Sequence, residues 1–94
     1  MAKRKVDAVF PIVEVTWVDA EEIGDIGWNV RSDILRAAKK PCPTMRTVGY
    51  CVYHGDSHIS VVNTLGPSES SRLDKIPTAF LLEVKYLTGE RDGA

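Results

Sequence analysis

The sequence predicts a mainly β domain with one short helix (α+β), folded as a small, strongly bent antiparallel sheet or barrel with the helix inserted after the first strand. Three observations lead there. Four separate segments alternate apolar and polar residues with period two, the pattern of strands with one buried face. A single segment, lying between the first two of these, carries helix signals at both ends. The chain has 94 residues and is 44% hydrophobic, enough for one domain with a modest core. Closing so small a sheet on itself hides most of its edges.

Residues 1–8 read as a flexible N-terminal arm, 9–87 as the barrel-like domain and 88–94 as a polar tail. In "PIVEVTWVD", Val13, Val15 and Trp17 share one face, and Glu14 and Thr16 the other. "AEEIGDIGW" follows as an acidic loop with two glycines. "NVRSDILRAAKKP" reads as the helix: Asn29 or Ser32 caps its start, and Asp33 suits the positive end of its dipole. Ile34, Leu35 and Ala38 make a narrow apolar stripe, Lys39 and Lys40 suit the negative end, and Pro41 stops it.

"TMRTVGYCVYH" is the second strand, with Thr47, Gly49, Cys51 and Tyr53 on one face and Val48, Tyr50 and Val52 on the other. Gly49 lets this strand curve without side-chain crowding. "HISVVNTLG" is the third strand, with Ile59 and Val61 inward, and "PSESSRLDK" a polar loop. "IPTAFLLEVKYL" is the fourth, with Phe80, Leu82, Val84 and Tyr86 on one face; Pro77 sits at its start.

The charge balance narrows the function classes. A formal net charge of −1 argues against a general nucleic-acid coat or a polybasic membrane binder, so no DNA partner is expected. Positive charge is local: Lys3, Arg4 and Lys5, then Arg31, Arg36, Lys39 and Lys40. No apolar run is long enough to span a membrane, and the basic N-terminal trio is not followed by the apolar stretch of a signal peptide. Cys42 and Cys51 fit a reducing cytosol in which both thiols stay free.

Two blocks carry a resemblance. "RTVGYCVYHGDSHISVVNT" looks like the bent strand, hairpin and strand of the Sm-like small-barrel fold, and "KIPTAFLLEVKYL" resembles its closing strand. Sm-like proteins usually place a helix before their first strand, whereas here the helix follows it. No RNA-binding residue is carried over from that family. Taken together, "VTWVDA", "GW", "TVGYCVYHGD" and "IPTAFLLEVKYL" also resemble small uncharacterised proteins of tailed bacteriophages and prophages. That resemblance implies a phage accessory protein in the bacterial host cytoplasm, a class that includes inhibitors of host proteins and oligomeric sponges for nucleotide signals.

Several residues are candidates for chemistry. His54, Asp56 and His58 in "YHGDSHI" have the ligand types of a zinc site, but Gly55, Asp56 and Ser57 also suit a short hairpin loop. The hairpin is the reading adopted, with the two histidines as a cross-strand pair and no metal site. Trp17, Asp19 and Trp28 are candidates for one shared rim, where indoles stack on a base or sugar and a carboxylate accepts from ribose hydroxyls or an amino group; the alternative puts Trp17 on the core face with Val13 and Val15, Trp28 under the helix and Asp19 as a loop cap. Ser70, Arg72 and Lys75 combine hydroxyl and cation donors for a phosphate. No phosphate loop, nucleophile elbow or histidine–carboxylate helix motif is present, so the chain reads as a non-enzyme without a cofactor. The leading expectation is a homo-oligomer that binds and sequesters a nucleotide-type ligand such as a host defence signal. The alternatives are an interaction module that inhibits a host protein, or an Sm-like RNA-binding protein.

Overall fold

A computed structural model describes residues 10–87. The expected N-terminal arm and polar tail lie outside the described residues. Five strands, β1 (Ile12–Val18), β2 (Thr44–His54), β3 (His58–Val62), β4 (Leu73–Pro77) and β5 (Leu81–Tyr86), form one antiparallel sheet in the order β4-β3-β2-β1-β5. One helix, α1 (Arg31–Ala38), follows β1 as the sequence leads one to expect. The sheet is open, not closed into a barrel: β4 and β5 are its edges and do not pair with each other. Both edges are short, Pro77 ends β4 without an N–H to donate, and a bulge interrupts β5. Neither edge offers the other a continuous row of donors and acceptors.

The core gathers on one face of this sheet. Val13 and Val15 of β1, Cys51 of β2, Ile59 and Val61 of β3 and Ile76 of β4 are buried against one another. Trp17, Leu81 and Val84 pack at its margin. Each fully buried aliphatic side chain here contributes about 1.5–3 kcal/mol through the surface it removes from water. The inward residues of β1 and β3 are those that the period-two pattern selects. On β2 the inward face is the one carrying Gly49 and Cys51, and here the glycine is a steric requirement. A Cβ on Gly49 would stand 2.5 Å from the Val62 carbonyl oxygen and 2.7 Å from Val61 Cγ1, because the β3 backbone closes over it.

The segment expected to be a polar loop is partly structured. The chain after β3 returns as a second hairpin, with a Leu65–Ser70 bridge and a Gly66 N–H donated to the Glu69 carbonyl at 2.7 Å. Ser71 fastens its base: its hydroxyl accepts the Asn63 and Thr64 amides, and its own N–H donates to Thr64 O. β4 then runs Leu73–Pro77, so "IPTAFLLEVKYL" is two strands and not one. A 3₁₀ turn at Thr78–Phe80 separates them, and Pro77 ends β4 instead of starting a strand.

Residues 19–43 connect β1 to β2, and Asp19 N–H donates to Pro43 O at 3.0 Å where the two ends meet. Between these ends residues 20–42 are exposed except Ile34 and Ala37, which are half-buried. The outgoing half bends at Gly24 (φ 109°) and Gly27 (φ 108°), a backbone region that side chains disfavour. Asn29 locks this bend, accepting the Asp25 amide at 2.9 Å and donating to the Asp25 carbonyl at 3.0 Å. Asn29 is thus the clasp of the loop and not the helix cap. Val30 occupies the cap position, and no side chain caps α1.

Candidate functional site

A concave feature lies where the base of this connection meets the corner between β4 and β5. It has a volume of about 270 Å³ and is lined by Val18, Asp19, Ala20 and Cys42 from the connection side, and by Ala79, Phe80 and Leu82 from the corner. The wall is largely apolar, with a single ionisable carboxylate. Asp19 is held firmly: its amide is bonded to Pro43 O, and its Oδ1 accepts the Ala20 N–H at 2.8 Å. No donor among the described residues reaches Oδ2, which leaves that oxygen for a hydroxyl or amino group of a ligand.

Two local events in the chain expose this wall. The register between β1 and β5 shifts at Thr16/Trp17, so that Thr16 pairs with Glu83 and Trp17 with Leu81. Leu82 is the extra residue of that bulge, and it leaves the core with 60% of its surface exposed. Leu81 turns inward in its place, against Trp17. Phe80, in the 3₁₀ turn, is 40% exposed. Strict alternation puts Phe80 and Leu82 on one strand face with Val84, and the bulge and turn separate them from it.

The residues expected to share one rim are distributed as follows. Asp19 is in the groove. Trp17 packs at the margin of the core, with its indole N–H donated to Thr47 Oγ1 at 3.0 Å. Trp28 is fully exposed on the β1–β2 connection and does not line the groove. The serine loop borders a separate depression of about 300 Å³ lined by Thr64, Gly66, Glu69, Ser70 and Ser71. Its hydroxyls serve the loop itself, Ser70 donating to Ser71 O, and the Glu69 carboxylate disfavours a phosphate there. Arg72 and Lys75 are exposed beyond it and line neither depression. Val18, Ala20, Cys42, Ala79, Phe80 and Leu82 are the groove residues that sequence reasoning missed. The one signal among them is the Leu81–Leu82 doublet, which makes the phase of that strand ambiguous and so points to Leu82.

"YHGDSHI" is a hairpin, with β2 ending at His54 and β3 starting at His58. The histidines are not opposite each other, however: His54 pairs with Ile59, and His58 with Pro77. A second bulge, between Cys51 and Tyr53, sets this register. The tip serves as a bracket, because Thr78 donates its amide to Ser57 O and its hydroxyl to Asp56 O, tying the β4–β5 corner to the turn. The His58 ring lies tilted against Tyr53, with centroids 5.0 Å apart, and shares a hydrogen bond with Ser57 Oγ at 2.7 Å. His54 Nδ1 shares one with Tyr86 OH at 2.8 Å. Tyr86 in turn meets the Cys51 thiol at the mouth of the core, where burial pushes Cys51 above the ordinary thiol value. Tyr86 is pushed up by burial first and by its thiol neighbour second. Both groups are therefore held neutral, which makes Cys51 a poor nucleophile. Among the described residues no three His, Cys, Asp or Glu side chains converge as metal ligands, and no helix is long and apolar enough to cross a membrane.

Neither a family model, nor a curated protein, nor a solved structure matches this chain.

Proposed function

We propose that this protein is a non-enzymatic phage accessory protein of the bacterial cytoplasm that sequesters a nucleotide-type ligand, with the groove at Asp19 and Phe80 as its seat. One observation carries the reading: an apolar groove of about 270 Å³ sets a fixed carboxylate beside an exposed aromatic ring. An apolar wall and a ring suit the face of a base, and Asp19 Oδ2 suits a ribose hydroxyl or an exocyclic amine. No cation lines the groove, so the phosphates of such a ligand stay in solvent. The reading therefore favours the nucleoside part as the recognised group. It also takes the sheet as an Sm-like barrel left open on one side. The strand order, with β5 beside β1, and the three-residue turn that joins the two edges support this.

Calorimetric titration with cyclic dinucleotides and cyclic ADP-ribose variants tests the proposal, with Cys42 as an internal reporter. One of these ligands is expected to release heat and to slow alkylation of the exposed Cys42 thiol on the groove wall. Asp19→Asn keeps an oxygen for Ala20 N–H but loses the charge, and is expected to weaken binding at least about tenfold. Absence of heat with every ligand in the panel, or binding that ignores Asp19→Asn, would refute the assignment.

A further inference from the structure

We infer that residues 20–42 form a docking arm whose partner is a second copy of this chain. The arm carries apolar side chains that its own sheet does not cover: Ile23, Ile26, Trp28, Val30 and Leu35 are between 54% and 105% exposed. α1 buries no residue at all. Five large apolar side chains exposed on one 23-residue segment are the raw material of an interaction surface. The arm is also preformed. Two glycine bends and the Asp25–Asn29 clasp shape its outgoing half, α1 its returning half, and the Asp19–Pro43 bond closes its base, which lowers the ordering cost of docking.

Its charges decide what covers it. The outgoing half carries Glu21, Glu22 and Asp25, while the returning half carries Arg31, Lys39 and Lys40. The remaining pair, Asp33 and Arg36, is satisfied internally at 3.2 Å. A partner of one charge sign would attract one half of the arm and repel the other. A second arm placed antiparallel across a twofold axis instead sets acidic half on basic half twice, with the apolar side chains between them. Self-complementarity of this kind is what an isologous contact requires. The full exposure of Trp28 supplies the large aromatic anchor such interfaces favour. Ala20 and Cys42, at the base of the arm, line the groove, whereas Trp28 and the paired charges do not.

A charge-swap experiment on the full chain tests it, read by sedimentation equilibrium from low to high micromolar concentration. The unaltered protein is expected to dimerise. Reversal of the acidic half, Glu21→Lys with Glu22→Lys and Asp25→Lys, sets like charges against each other in the homodimer. Reversal of the basic half, Arg31→Glu with Lys39→Glu and Lys40→Glu, does the same. Each triple variant is expected to self-associate at least about tenfold more weakly. Mixed one to one, the two are expected to form a heterodimer at least as tight as the original dimer. Trp28→Ala is expected to weaken both the homodimer and the mixed pair. All variants lie outside the core, and an unchanged urea midpoint for the monomer verifies that they fold. The inference is overturned if the unaltered chain stays monomeric at about 100 μM, if either triple variant dimerises as well as the original, or if mixing fails to restore association.

Discussion

At the scale of single residues, the most informative group is the Cys51–Tyr86–His54 cluster at the mouth of the core. Cys51 is 6% exposed, and burial holds its thiol neutral by raising its pKa above the ordinary 9.0. The sign of the linked stability follows from that direction. A raised folded pKa means the folded state keeps its proton longer than the unfolded chain does. The contribution is therefore complete below pH 9.0 and is lost as the pH climbs through the higher folded value. Urea midpoints measured from about pH 7 to pH 11 are expected to fall as the pH climbs above the ordinary thiol range. In Cys51→Ala the fall is expected to be shallower and to start later, because Tyr86 still titrates but has lost one of the neighbours that raise it. A profile equally steep in both proteins would show that Cys51 is not the group responsible. Gly49 shows the other way a residue controls this fold, since its missing Cβ is what lets β3 cross so closely.

At the scale of elements, the decisive feature is the bulge on β5. It makes Leu81 and Val84 the packing residues and hands Leu82 to the groove. Leu82→Glu is therefore expected to leave the urea midpoint nearly unchanged, within about 0.5 kcal/mol in stability, while abolishing ligand heat in calorimetry. Ile59→Ala, at a site with no exposed surface, is expected to cost about 2–5 kcal/mol. A destabilisation by Leu82→Glu comparable to that of Ile59→Ala would place Leu82 in the core after all. The same bulge explains what the sequence conceals. Val13, Val15, Ile59 and Val61 follow the simple period and were legible as core. Past Pro77 the apolar run "AFLLEV" contains a doublet, and alternation alone cannot tell which leucine is inward. Likewise, the polar residues of "PSESSRLDK" conceal a hairpin and the start of β4, because Ser71 side-chain bonds and backbone pairing hold it without apolar alternation. Of the candidate site, Asp19 was legible as a carboxylate at a strand end. The far wall of its groove was not, since Ala79, Phe80 and Leu82 come from a corner about 60 residues away that only the tertiary fold brings near.

At the scale of the whole molecule, the chain divides into a sheet that holds the fold and an arm that it carries. β1 and β2 pair without interruption from Ile12–Tyr50 to Val18–Thr44, and the Asp19–Pro43 bond closes the ladder just beyond. The 23 residues between contribute no buried side chain to the core. The sheet is then a five-stranded unit whose first hairpin happens to have a very long connection. Replacing residues 21–41 by a short Gly-Asn turn is expected to leave a cooperatively folding domain. Loop closure costs about 0.6 kcal/mol for each doubling of length, so cutting the connection to about four residues is expected to add roughly 1.5 kcal/mol to stability. The same excision is expected to abolish self-association, because it removes Trp28, α1 and both charged halves together. Thermal unfolding and sedimentation of one sample read the two effects separately. Loss of the cooperative transition would mean that the arm is part of the fold, and a folded dimer without it would place the interface on the sheet.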